Sequence, residues 1–304
     1  MIMTIRILAN DGMAADAKTA LEAKGFEVVT EHYEPDVLAD KVKEFDAMTV
    51  RSATKVRQPI IDAAAETGRL KLVIRGGVGI DNIDAVYAEE KGIHVTNTPK
   101  ASSSSVAELA LGHMFSLARY IGISNVTLRQ GEWNKKKYEG VELTGKTLGF
   151  IGMGRISREL AKRAEALGMN VIYTDVLGKM DVPYEFGTME DVLQKGDFVT
   201  LHIPAPEDGK PVVGAKELAL MKPTAFIINT ARGGLIDEDA LIEALDNGKL
   251  AGAAFDVYPT ESADDQKLLN NPKISCTPHI GGSTKEAQTR IGAEIVDIIT
   301  DFFK

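Results

Sequence analysis

The chain has 304 residues, 44% of them hydrophobic and 26% charged, which suits a soluble globular protein of about two domains at roughly 150 residues each. The net charge of −9 argues against non-specific binding to nucleic acid or to an anionic membrane, both of which want basic surface. Any anionic substrate must then be drawn by a local basic cluster. The single cysteine, Cys276, allows no disulfide within the chain and fits a reducing cytoplasm. No apolar run approaches the ~20 residues of a membrane span, and "MIMTIRILAN" lacks a basic leader region and reads as a strand.

Taken in chain order, short β-branched runs recur at 5–10, 26–31, 47–51, 71–76 and 92–97, with helix-forming segments rich in Ala, Leu and charge between them. A second series follows at 147–152, 170–175, 198–204, 225–231, 252–257 and 274–280. Strands alternating with helices predict parallel sheets, so the expected fold is α/β with two Rossmann-like or flavodoxin-like domains. Two long helices are expected to join them. "SVAE" at Ser105 and "STKE" at Ser283 match a capping box and predict their starts. In the second of these helices Ala287, Ile291, Ile295, Ile298, Ile299 and Phe302 fall on one face at helical spacing. The serine cluster at 101–105 reads as a linker.

"TLGFIGMGRISRELAKRAEALGMNVIYTD" carries the clearest signal. A strand ends at Gly152, Gly154 follows, and a helix starts by about Ile156. Backbone amides and the helix dipole at such a loop bind a pyrophosphate. Asp175 stands at the next strand end, where a carboxylate accepts from the ribose hydroxyls of NAD and repels the 2′-phosphate of NADP. The third glycine position holds Ser157, which predicts slightly looser helix–strand packing.

Three later strand ends deliver Arg232, then Asp256 and Glu261, then His279 to one rim of a parallel sheet, and ligands bind beyond such ends. A guanidinium clamps a carboxylate. A glutamate beside a histidine fixes its tautomer and stabilises the imidazolium. Each of these residues has an ordinary alternative, as a surface ion pair, a solvated acid or a turn residue; the set gains weight from its dinucleotide domain.

These residues resemble the NAD-dependent D-2-hydroxyacid dehydrogenases over nearly the full length. "RSATKV" (51–56), "RGGVGIDNID" (75–84), "SVAELALG" (105–112), "NTARGGLIDEDAL" (229–241), "AGAAFDVYPTE" (251–261) and "CTPHIGGSTKEAQ" (276–288) stand in the family's order. "RSATKV", "ELTGKTLG" and "GGSTKEAQ" are closer to the branch that oxidises D-3-phosphoglycerate. The resemblance implies that Arg232 binds the substrate carboxylate, that His279 takes the hydroxyl proton, and that Glu261 steadies the ring. It implies backbone amides of Gly77-Val78-Gly79 on the carboxylate, with Val78 and Gly79 as substrate ligands. It places Gly152, Gly154, Arg155, Ile156, Asp175, Ala231, Asp256 and Gly281 around NAD, Asp256 at the nicotinamide carboxamide. It also implies a substrate domain of 1–98 with 283–304, a cofactor domain of 99–282, a cleft between them, and a homodimer through 120–133. Longer enzymes of this branch carry C-terminal regulatory domains, and the end at Lys304 predicts that such feedback is absent.

Arg51 and Arg75 each follow a strand of the first domain and are the candidate phosphate ligands. The lysines 135–137 read as a solvated face that could add to the field. Cys276 reads as a small buried hydrophobe and His202 as a strand-end residue. His32, His94 and His113 show no metal-ligand spacing, so no metal is expected. Other readings are a glycerate, hydroxypyruvate or glyoxylate reductase, which would differ in the first-domain pocket, and an NAD-sensing corepressor-like binding protein.

Overall fold

The computed structural model describes residues 4–206, 208–260 and 265–304. They form two compact units, one of residues up to Ser102 with Gly282–Lys304 and one of Ser103–Gly281.

The first unit runs β1 (Arg6–Ala9), α1 (Ala15–Ala23), β2 (Glu27–Val29), α2 (Pro35–Lys41), β3 (Ala47–Val50), α3 (Gln58–Thr67), β4 (Leu72–Arg75), α4 (Ala85–Glu90) and β5 (His94–Asn97). Its sheet is parallel, in the order β2-β1-β3-β4-β5. That is the flavodoxin-like order, whose ligand crevice lies where β1 and β3 diverge. Both faces are covered, as a parallel sheet requires. Successive side chains of a strand point to opposite faces. Met48 and Val50 of β3 join Leu38, Ile60 and Ile61 on one side, and Ala47 joins Ala17, Leu21 and Ile291 on the other.

The second unit holds α5 (Ser103–Arg119), α6 (Ile121–Arg129), β6 (Thr147–Ile151), α7 (Arg155–Ala166), β7 (Asn170–Thr174), β8 (Glu185–Phe186), α8 (Met189–Lys195), β9 (Phe198–Leu201), α9 (Ala215–Leu218), β10 (Phe226–Asn229), α10 (Glu238–Asp246), β11 (Gly252–Phe255), α11 (Gln266–Leu269) and β12 (Ile274–Cys276). The order β12-β11-β10-β9-β6-β7-β8 is the dinucleotide-fold arrangement, with its switch point between β6 and β9. The two-residue edge strand β8 is not among the expected runs; two residues give no readable period.

The final helix, α12 (Lys285–Phe302), returns to the first unit. It crosses α1 closely at Gly292, where a Cβ would stand 2.9 Å from that of Ala17. Ala287, Ile291, Ile295 and Ile299 are buried as expected, each isoleucine contributing roughly 1.5–3 kcal/mol. Phe302 departs from the expected face: it is exposed and stacks on His94 at 5.9 Å. Both expected helix starts shift, the last by one residue and the first by three. Thr284, not Ser283, accepts from the Ala287 amide. Ser103 already opens α5, so Ser105 lies inside the helix and the serine cluster is only in part a linker.

Candidate active site

The glycine loop after β6 is shaped by contact. Gly152 has φ +89, and a Cβ there would lie 2.6 Å from Ile203 Cγ2 and 2.7 Å from the His202 carbonyl, so only glycine fits. Gly154 caps α7 without any side-chain cap bond, and a Cβ there would meet nothing within 4 Å. The twelve-residue helix thus starts beside open space with no side chain capping its first turn, an arrangement suited to a pyrophosphate. Arg155 and Ile156 begin this turn. Asp175 accepts from the Met153 amide at 2.8 Å and from Leu177 at 2.9 Å, so the acid expected at the ribose braces the loop. The expectation for Ser157 is corrected. It is fully buried, and its hydroxyl donates to the Gly152 carbonyl at 2.7 Å, bolting helix to loop instead of loosening them.

Beyond β10, Asn229 organises the loop that carries Ala231 and Arg232. Its side chain accepts from the Ala231 amide at 3.1 Å and donates to the Arg232 carbonyl at 2.8 Å. The half-buried Arg232 donates from Nη1 to the Ala231 carbonyl at 2.6 Å. Gly233 lets the loop after β11 pass, since a Cβ would stand 2.0 Å from the Tyr258 carbonyl. After β12, His279 takes a left-handed backbone with φ +54, uncommon for a residue other than glycine. The buried Asp256 holds that turn: its carboxylate accepts from Thr277 Oγ1 at 2.6 Å, the Ile280 amide at 2.8 Å and the Gly281 amide at 2.8 Å. Glu261 lies outside the described residues.

In the first unit the loops after β1, β3 and β4 are cross-braced. Asp11 accepts from the Arg51 amide at 2.6 Å and from the Thr54 amide and hydroxyl at 3.1 and 2.6 Å. Asn82 donates to the carbonyls of Arg51 and Thr54, both at 2.7 Å. Asn97 donates to the Val78 carbonyl. The Arg75 side chain folds over Gly77, whose φ is +146 and where a Cβ would stand 1.5 Å from the guanidinium. Arg51 and Arg75 end adjacent strands, with Val50 paired to Arg75. A cavity of about 310 Å³ opens at the divergence of β1 and β3, lined by Asp11, Thr49, Arg51, Gly76, Gln288 and Ile291 among others. Thr49 shares the α12 face with Ala47; its hydroxyl is buried and has no hydrogen-bond partner among the described residues. Asp11, Asn82, Asn97, Asn229 and Thr49 were all missing from the sequence-based set. Asn82 and Asn229 sit in motifs that supplied Gly79 and Arg232 instead, and Thr49 lies two residues before Arg51.

The D-isomer specific 2-hydroxyacid dehydrogenase NAD binding domain matches residues 111–281. The chain is 45% identical to a hydroxypyruvate reductase of Thermotoga maritima, over 97% of both chains. It belongs to the D-isomer specific 2-hydroxyacid dehydrogenases. It is 43% identical to the D-3-phosphoglycerate dehydrogenase of Methanocaldococcus jannaschii, over 97% of this chain and 57% of that one. Against the crystal structure of a glyoxylate reductase from Paecilomyes thermophila the TM-score is 0.86 at 32% identity, covering 98% of this chain and 94% of that one.

In this D-2-hydroxyacid dehydrogenase the second unit is therefore the NAD-binding domain, and the open first turn of α7 fits the dinucleotide. His202 follows β9 at that domain's switch point. Burial pushes its imidazole down to about 3; Nε2 meets Thr200 Oγ1 at 3.0 Å, and the buried Nδ1 has no partner among the described residues. Burial raises the Cys276 thiol, a neighbouring Tyr258 hydroxyl opposing, so it stays a protonated, inert small side chain. The lysines 135–137 form one exposed 3₁₀ turn. Among the described residues no helix is long and apolar enough to cross a membrane.

Proposed function

We propose that this enzyme oxidises D-3-phosphoglycerate to 3-phosphohydroxypyruvate with NAD, as in the first step of serine synthesis. The observation that carries the reading is the pair Arg51 and Arg75, at the ends of adjacent strands, one lining a cavity and one folded over the carboxylate loop. Two guanidiniums there suit a second anionic group.

The assigned roles follow from donor chemistry. Backbone amides of Gly77-Val78-Gly79 bind the substrate carboxylate. Arg232 holds the carboxylate and polarises the C2 oxygen. His279 accepts the C2 hydroxyl proton as general base, and Glu261 stabilises the resulting imidazolium. NAD, when bound, accepts the C2 hydrogen as hydride. Gly152, Gly154, Arg155 and Ile156 hold its pyrophosphate, Asp175 its ribose, and Ala231, Asp256 and Gly281 its nicotinamide end. A carboxylate offers about four acceptor positions, and three at Asp256 are taken, so its contact with the carboxamide uses the remaining one. A homodimer through 120–133 is supported by the exposed Ile121, Val126, Leu128 and Trp133, the last 81% exposed.

A second reading, reduction of hydroxypyruvate to D-glycerate, is favoured by the Thermotoga maritima relative, which matches end to end where the phosphoglycerate enzyme is longer. Initial rates with D-3-phosphoglycerate, D-glycerate, D-lactate and 2-hydroxyglutarate, each with NAD and NADP, decide between them. A rate confined to phosphoglycerate, and lost in Arg51→Ala, upholds the first. A faster rate with D-glycerate sinks it and leaves the fold and proton chemistry intact.

A further inference from the structure

A chain of partly buried hydroxyls links the buried His113, which the reaction does not use, to the turn that carries His279. His113 on α5 is 3% exposed. Its Nδ1 lies 3.0 Å from Ser275 Oγ and its Nε2 3.0 Å from Thr277 Oγ1, both on or beside β12. Ser275 Oγ in turn lies 3.2 Å from Ser116 Oγ.

The proton positions along this chain follow by elimination. Asp256, as a carboxylate, can only accept, so the 2.6 Å contact with Thr277 uses the threonine's hydrogen. Thr277 Oγ1 can then only accept from His113, which places a hydrogen on Nε2. Burial holds the His113 imidazole below its ordinary range against the pull of Asp256, so the ring is neutral and Nδ1 is an acceptor. Ser275 Oγ lies beside it and donates its own hydrogen to Ser116 Oγ. From His113 onward the donors point one way, through Thr277 to Asp256. Aligned hydrogen bonds of this kind strengthen one another.

The row ends on the group that fixes the His279 backbone. Asp256 takes the Ile280 and Gly281 amides, while the His279 amide donates to the Thr277 carbonyl at 3.1 Å. That carbonyl also accepts from the Tyr258 hydroxyl at 3.0 Å. Thr277 is thus the junction between the His113 ring and the backbone turn that carries His279, and a left-handed histidine persists only where its surroundings over-determine it.

We propose that His113 is a positioning residue of this dehydrogenase, which holds the general base His279 in its working orientation through Thr277 and Asp256. The proposal rests on His279 being the proton acceptor. The Nε2–H of His113 occupies the acceptor lone pair of Thr277 and so commits that hydroxyl's hydrogen to Asp256. The opposite tautomer would turn the hydroxyl round and cost Asp256 a donor.

The test uses the full-length enzyme with NAD and whichever hydroxyacid it turns over. His113→Leu removes the donor and leaves Ser275 its Ser116 partner. Its kcat should fall at least fivefold, with the KM for hydroxyacid and the Kd for NAD unchanged within twofold. His113→Gln returns an N–H near the Nε2 position and should restore most of kcat. Thr277→Val, which removes the junction hydroxyl, should match the leucine variant, and serves in its place should His113→Leu not fold. Wild-type kcat in both His113→Leu and Thr277→Val, beside an inactive His279→Ala, overturns the proposal and spares the general base. Equal losses in the leucine and glutamine variants, tracking a lowered Tm, also overturn it, since that is plain packing. An active His279→Ala overturns the general base and the proposal together.

Discussion

The Met153 amide donates to Asp175 Oδ2 at 2.8 Å, joining the middle of the glycine loop to the acid at the end of the next strand. Two features separated by twenty-odd residues are therefore one device. The carboxylate proposed to hold the ribose also fixes the loop proposed to hold the pyrophosphate. Its second oxygen accepts from Leu177, which holds the carboxylate plane while acceptor capacity remains for a ribose hydroxyl.

Asp175→Ala should therefore do more than relax cofactor choice. Loss of the acid removes the repulsion of a 2′-phosphate, so the preference for NAD over NADP should shrink by about tenfold or more, one hydrogen bond to a charged group being worth roughly 1.5–3 kcal/mol. The loop should loosen as well, raising the KM for NAD. Steady-state kinetics with both cofactors check this, and an unchanged NAD to NADP ratio would remove Asp175 from the ribose.

Most strands of the parallel sheets were legible because each is a short apolar run with a helix behind it, and the glycine loop because it joins a strand to a helix with an acid at the next strand end; of its two glycines Gly152 is the one with no room for a side chain. What escaped was the second layer. Asn229, Asn82 and Asn97 shape loops by bonding backbone atoms, and an asparagine in a loop has many ordinary uses in a sequence. Asp256 was legible as a site residue, but its three donors were not, because two of them are amides and carry no residue type. Ser157 misled for a related reason. Counting volume foresaw looser packing, whereas a hydroxyl aimed at the Gly152 carbonyl turned the extra atoms into a bond.

Gly77 offers a sharper test of the carboxylate loop. Any side chain there meets the Arg75 guanidinium and must also adopt φ +146. Gly77→Ala should cost about 1–3 kcal/mol of stability, the range for a residue held in a sparsely populated backbone region. It should also displace Arg75 and raise the substrate KM several-fold, with NAD affinity intact. A KM equal to wild type would mean that the folded-over position of Arg75 is irrelevant to binding.

His279→Ala separates proton transfer from binding. A positioned general base is worth roughly 10²–10⁴ in rate, so kcat should fall by about that factor while the Kd for NAD stays near wild type. Arg232→Ala should instead raise KM and lower kcat together, because in its proposed role the guanidinium serves both the bound substrate and the developing charge at the C2 oxygen. Fluorescence titration of NAD alongside single-turnover rates would reveal the split, and a pure KM effect of His279→Ala would reassign it to substrate binding.

His202 gives the fold a pH dependence of known sign. Burial lowers its folded-state value to about 3 from an ordinary 6.5. Above 6.5 neither the folded nor the unfolded chain carries the proton, and the histidine has no effect. As the pH falls below 6.5 the unfolded chain takes the proton and the folded chain does not, so stability declines, by at most about 1.4 kcal/mol per unit. His202→Gln keeps a partner for Thr200 but cannot titrate. Urea unfolding at pH 7, 6 and 5 should show the wild type losing up to roughly 2 kcal/mol more than the variant across that window. Parallel stability curves would mean that the folded chain protonates His202 as readily as the unfolded one, and that the ring is solvated at the switch point.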